Sequence, residues 1–199
     1  ALNNNFKGVN YSVVSACTSG THSIGDAYRS IKHGYSNLIV AGGSEASITP
    51  MAIAGFGNMK ALSKNPDPNT ASKPFDLNRD GFVISEGAGV LILENLDHAI
   101  NRGAKIYAEI KGFGASADAY HITSPHPDAL GAIQSMKSAL NEAKLNYDEI
   151  QYINAHGTST KYNDISETKA IKATFKDHSS NLAISSTKSM IGHCLGASG

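Results

Sequence analysis

The chain has 199 residues, 41% of them apolar and 17% charged, which suits a packed core and excludes a disordered chain. Lysine and arginine balance aspartate and glutamate at 17 each, so no charge excess points to nucleic acid or an anionic membrane surface. No apolar run approaches the roughly 18 residues that span a bilayer, no signal peptide opens the sequence, and Cys17 and Cys194 alone make no disulfide framework, so a reducing, cytosol-like compartment is expected.

Strand-like and helix-like segments alternate along the chain. YSVVSA, from Tyr11 to Ala16, is β-branched and strand-like; residues 19–32 are helical, with Ile24, Ala27, Tyr28 and Ile31 on one stripe. NLIVAGGSEA reads as a buried strand running into glycines. The stretch from Leu62 to Gly81 carries Pro66, Pro68 and Pro74 and reads as a long surface excursion. GAGVLILENL is a further apolar strand, followed by the short helix DHAINRG with a glycine stop. KIYAEIKGFGA alternates like a long strand, and Asp128 to Leu145 has a helical pattern. IQYINAHG is a strand, Asp164 to Phe175 an amphipathic helix, and NLAISSTKS a last strand. The alternation predicts an α/β layered fold with a largely parallel sheet.

In such sheets, ligands gather where strands end and helices begin. Three junctions carry reactive side chains: SACTSG with Cys17, NAHGTST with His156, Thr158 and Thr160, and SSTKSMIGHCLG with Lys188 and His193. A thiol at a helix start is acidified by the helix dipole and free N–H groups, to a pKa of roughly 3.5–7.5 in known cases. Cys17 can therefore be a nucleophile beside an oxyanion-binding N–H, or equally a buried structural thiol. His156 and His193 can be hydrogen-bond donors to a developing enolate, acid–base groups, or structural rings. Lys188 can orient a histidine and lower its pKa, or be a solvated surface lysine. The spacing of Cys17, His156 and His193 lacks the close pairs of usual zinc sites, so no metal is expected. His121 reads as a loop or gating residue and Cys194 as packing. GFGASAD lacks the ending of a phosphate loop and reads as a turn. Asp76, Arg79 and Asp80 read as an internal charge network that pins the long excursion.

Together, SACTSG, AGGSEASITP, KPFDLNRDGFVISEGAGVLILE, NAHGTST and SSTKSMIGHCLGASG resemble, in order and spacing, the β-ketoacyl-acyl carrier protein synthases, type II in particular. The resemblance implies a thiolase-like fold, a five-layer α-β-α-β-α sandwich of two related halves, here incomplete. Residues 1–103 would hold the latter part of the first half and 104–199 the beginning of the second, within a longer homodimeric parent.

The same resemblance implies a division of labour. Cys17 would accept an acyl group from acyl carrier protein. His156 and His193 would stabilise the enolate formed as malonyl-acyl carrier protein loses carbon dioxide, with Lys188 holding the geometry and charge. Thr158, Thr160 and, in the loop beside His121, Thr123 would contact the phosphopantetheine arm. No cofactor is implied beyond that arm, which the carrier protein brings. No nucleic acid or membrane partner is implied, and the compartment would be a bacterial cytoplasm or an organellar matrix. Cys194 and Ile191 depart from the family's usual apolar residue and threonine. The family's glycine-rich gating loop and a later glutamate have no counterpart, so the isolated chain is expected to fold poorly and to condense little. Rival readings are a polyketide-type or type I ketosynthase, a non-catalytic chain-length-factor-like partner, a cysteine hydrolase and a thiolase.

Overall fold

The computed structural model describes residues 1–199. In chain order its elements are α1 (Ser19–Lys32), β1 (Leu38–Glu45), α2 (Pro50–Asn58), β2 (Gly87–Glu94), α3 (Leu96–Asn101), α4 (Leu130–Ala143), β3 (Tyr152–Asn154), α5 (Lys161–Phe175), β4 (Ala183–Ser185) and α6 (Lys188–Ile191). Residues 1–47, 85–110 and 194–199 form one compact unit; residues 48–84 and 111–193 form a second.

In the first unit, β1 and β2 pair antiparallel along their whole length, from Leu38 opposite Glu94 to Glu45 opposite Gly87. The apolar stripe of α1 explains its place: Ile24, Tyr28 and Ile31 pack around the buried Ala27, Ala41 and Leu93, with Ile39 beside them. Gly43 in β1 permits a close approach, because a Cβ there would lie 2.3 Å from the carbonyl oxygen of Gly196. The turn Leu195–Ala197 therefore rests on the strand, and Glu45 Oε2 accepts the Gly196 N–H at 3.1 Å. The Asn95 side chain caps α3 by accepting from His98 N.

In the second unit, β3 and β4 pair parallel, with Ile153 opposite Ile184. The long excursion is pinned beneath α5. Buried Arg79 donates to the carbonyls of Asp76, Thr160 and Lys161 and lies 3.2 Å from the carboxylate of Asp164, which is 1% exposed. Asp164 also accepts the Phe75 N–H at 2.8 Å. Asp80 accepts from Ser63 Oγ and Lys64 N, and the Ser63 hydrogen bond leads in holding its carboxyl below the usual carboxylate range. These bonds match the pinning network expected for Asp76, Arg79 and Asp80. The glycines of GFGASAD do something other than turn the chain. A Cβ on Gly112 or Gly114 would lie 2.4 or 2.0 Å from the carbonyl oxygens of Ala139 or Ser135, so the backbone can press against α4 only without side chains there.

Several expectations need correction. The strands do not make one largely parallel sheet: one pair is antiparallel and the other parallel. YSVVSA and KIYAEIKGFGA carry strand-like patterns, yet neither is a β-strand here. A strand needs a neighbour for its N–H and C=O groups, and alternation cannot supply one. Val14 and Tyr107 are accordingly exposed. Helix α2 had no periodic signal because Gly55 and Gly57 interrupt it; its cues are capping ones, Thr49 accepting from Ala52 N and Pro50 in the first turn.

Candidate active site

Cys17 lies in the single 3-10 turn Ala16–Thr18 that leads directly into α1. The turn is tight: Ala16 has φ 51°, a left-handed conformation uncommon for a residue with a Cβ. Side chains brace it. Ser19 Oγ accepts the Ser15 N–H at 2.9 Å and donates to the Ala16 carbonyl at 2.7 Å, while His22 Nδ1 lies 2.7 Å from Ser15 Oγ. The thiol is half-buried at the positive end of a 14-residue helix. Such a strained turn can present a nucleophile. Cys194, in the same unit, is different: it is buried, with Sγ 3.1 Å from Ser85 Oγ and 3.6 Å from the Glu86 carbonyl. It behaves as a packed thiol, as expected.

The second unit brings His156, His193 and Lys188 together. Pairing of β3 with β4 carries both chain ends out on the same side, so the residues that follow each strand become neighbours. The imidazoles of His156 and His193 stand 5.4 Å apart, centroid to centroid, and nearly perpendicular at 87°. Phe82 packs edge-on against His193 at 5.3 Å, and Phe56 against Phe82 at 5.2 Å. The His193 N–H donates to the Val83 carbonyl at 2.7 Å. Lys188 opens α6 with 4% of its surface exposed, its carbonyl accepting from Ser72 Oγ.

These surroundings set the charge of the rings. Loss of water lowers the His156 pKa to about 4, with the Lys188 ammonium adding to the effect, although the residue remains exposed at the surface. Burial, then His156, then Lys188 lower that of His193 to about 3. Both imidazoles are therefore neutral near pH 7, each with one N–H to donate and no charge to be repelled by the lysine.

The turn after β3 is held by a residue the sequence reading passed over. The Glu167 carboxylate, on α5, accepts the backbone N–H of His156 at 2.6 Å and of Gly157 at 2.8 Å. Burial pushes its pKa up, against the pull of those two bonds. Glu167 looked like one more charge on an amphipathic helix; only the tertiary fold reveals its task. Thr158 is buried and its Oγ1 lies 2.8 Å from that of Thr160, so these two form a pair. Thr123 is in an exposed loop, where its N–H and that of Ser124 donate to His121 Nδ1 at 3.1 Å.

One unit thus holds two neutral histidines beside a buried lysine, and the other a cysteine at a helix start. Residues 1–99 match the family model of the β-ketoacyl synthase N-terminal domain, and residues 107–199 that of the C-terminal domain. The chain belongs to the β-ketoacyl synthase family, and its fold is thiolase-like. It is 52% identical over 200 residues to 3-oxoacyl-[acyl-carrier-protein] synthase 2 of Synechocystis sp., matching 100% of this chain and 48% of that protein. It is 51% identical over 193 residues to the protein of the same name from Staphylococcus aureus, matching 97% of this chain and 48% of that one. The chain thus spans about half the length of the curated relatives it matches. Among solved structures, a β-ketoacyl synthase from Burkholderia phymatum superposes with a TM-score of 0.87 at 45% identity, over 93% of this chain and 44% of that one. A type II PKS acyl-carrier protein in complex with its ketosynthase gives 0.89 at 40%, over 94% and 47%.

Proposed function

We propose that this chain carries catalytic residues of a condensing enzyme of fatty acid elongation. Cys17 Sγ attacks the thioester carbonyl of an acyl-acyl carrier protein, forming an acyl thioester and releasing the carrier thiol, which takes up the proton Cys17 loses. Malonyl-acyl carrier protein follows. The bond to its carboxylate breaks, carbon dioxide departs, and the electron pair stays behind as an enolate. Ring N–H groups of His156 and His193 donate to the enolate oxygen. The carbanion then attacks the acyl carbonyl on Cys17, giving a 3-oxoacyl thioester two carbons longer and expelling the cysteine thiolate. Lys188 keeps the histidines neutral and in place. Thr158, Thr160 and Thr123 contact the phosphopantetheine arm. That arm arrives on the carrier protein, so the proposed reaction draws on no resident cofactor or metal. The reading includes a homodimeric protein of full family length working in a cytoplasm or organellar matrix.

The observation that carries this reading is the neutral histidine pair beside a buried lysine, because decarboxylation needs hydrogen-bond donors that do not first titrate. Identity near 51% to the two fatty acid synthase relatives, against 40% to the polyketide structure, favours fatty acid elongation over polyketide synthesis. A solved relative in complex with an acyl-carrier protein supports that class of partner. The test is intact mass of the full-family-length protein after incubation with a medium-chain acyl-acyl carrier protein. Wild type is expected to gain one acyl group, and Cys17→Ala none. Uptake by the mutant, or none by folded wild type, would end the proposal.

A further inference from the structure

Glu167 holds the His156 turn by its N–H groups; its carbonyls have a different partner. Ser186 directly follows β4 and is 5% exposed. Its hydroxyl donates to the Gly157 carbonyl at 2.9 Å, with the His156 carbonyl at 3.4 Å as a second acceptor. The same oxygen accepts the Lys188 N–H at 3.3 Å. One buried hydroxyl thus bridges the segment after β3, which carries His156, and the segment after β4, which carries Lys188 and His193.

We propose that Ser186 is a positioning residue for the decarboxylation half of the reaction, fixing the spacing between the His156 turn and the Lys188–His193 segment. The inference rests on the functional reading above. The fit at this bridge is close. Gly157 has φ 39°, and a Cβ there would lie 2.5 Å from Ser186 Cβ and 2.9 Å from Oγ, so only glycine lets the turn meet the serine. Asn154 Oδ1, at the end of β3, also accepts the Thr187 N–H at 3.3 Å, in an exposed position outside either histidine's turn. Without the Ser186 hydroxyl, a carbonyl and an N–H in a buried position lose their partner, and the segments are free to shift relative to each other. Two donors aimed at one oxygen tolerate little movement; a displacement of about 1 Å can cost on the order of a hundredfold in rate.

The test compares half-reactions in the full-family-length protein. Carbon dioxide release from malonyl-acyl carrier protein is measured with Cys17 alkylated, and acyl uptake on unmodified Cys17 by intact mass. The ratio of the two rates, each per folded protein, is insensitive to partial unfolding. Ser186→Ala is expected to lower decarboxylation at least tenfold more than acyl uptake, and Ser186→Thr, which keeps a hydroxyl, to stay within about threefold of the wild-type ratio. A Ser186→Ala ratio equal to wild type, or a Ser186→Thr ratio equal to that of Ser186→Ala, overturns the assignment. Wild type that releases no carbon dioxide ends the functional reading itself.

Discussion

A histidine ring enclosed by protein beside a lysine ammonium is a poor proton acceptor. Its proton would enter a site with little water and a fixed like charge nearby. His193 is in this situation, and His156, although exposed at the surface, has its pKa lowered by the same two causes, so the consequence is measurable in stability as well as in chemistry. Each ring binds a proton more readily in the unfolded chain than in the folded one. As pH falls below the ordinary histidine value of 6.5, the unfolded state takes up protons that the folded state refuses until about 4 and about 3. Stability is therefore intact above 6.5 and declines steadily as the pH drops toward 4. Denaturant unfolding of the full-family-length protein between pH 7 and 4.5 should show this fall, and His193→Gln should flatten it. Coincident slopes for the two proteins would mean that the ring titrates as it does in water. The sequence showed the three residue types at three strand ends and left structural roles open for each. That Lys188 could lower a histidine's pKa was legible there, but the burial that does most of it was not, because it arises from packing that only the fold supplies.

At the scale of elements, legibility followed the source of each element's stability. Helix α1 is apparent in the sequence because its apolar stripe is its reason for packing, and it spans the residues expected. Helix α5 begins at Lys161, three residues before the apolar pattern, because its first turn is held by Arg79 and Asp164 and not by apolar contact. That ion pair is the clearest stability prediction at this scale. Asp164 is buried and accepts from Phe75 N and Asn163 Nδ2 as well as facing Arg79. Asp164→Ala would leave the Arg79 guanidinium buried without its counter-charge, which typically costs about 3–5 kcal/mol. Chemical denaturation of the full-family-length protein should show a loss of that size, and faster proteolysis between Leu62 and Gly81 should accompany it. A loss below about 1 kcal/mol would mean that the three carbonyls bonded to Arg79 suffice to hold the excursion.

For the whole molecule, the decisive feature is apolar surface that the chain does not cover with itself. On β1 and β2, Val40, Val90 and Ile92 are 45%, 63% and 66% exposed, and the register places Val40 opposite Ile92 on the face away from α1. In the strand-like segments YSVVSA and KIYAEIKGFGA, Val14 and Tyr107 are 89% and 85% exposed. Exposed apolar side chains on strand faces suit neighbours that cover them. The same fact explains why alternation overpredicted strands while chemistry at the strand ends was easier to see. A motif is local, but a sheet is completed by other segments, and the chain spans about half the length of its curated relatives. Expressed alone, the chain should bind a hydrophobic dye strongly and elute from a sizing column as multimers or aggregates. The protein of full family length should bind little dye per residue. A monomeric 199-residue chain with weak dye binding and a sharp unfolding transition would show instead that its two units bury enough apolar surface to stand by themselves.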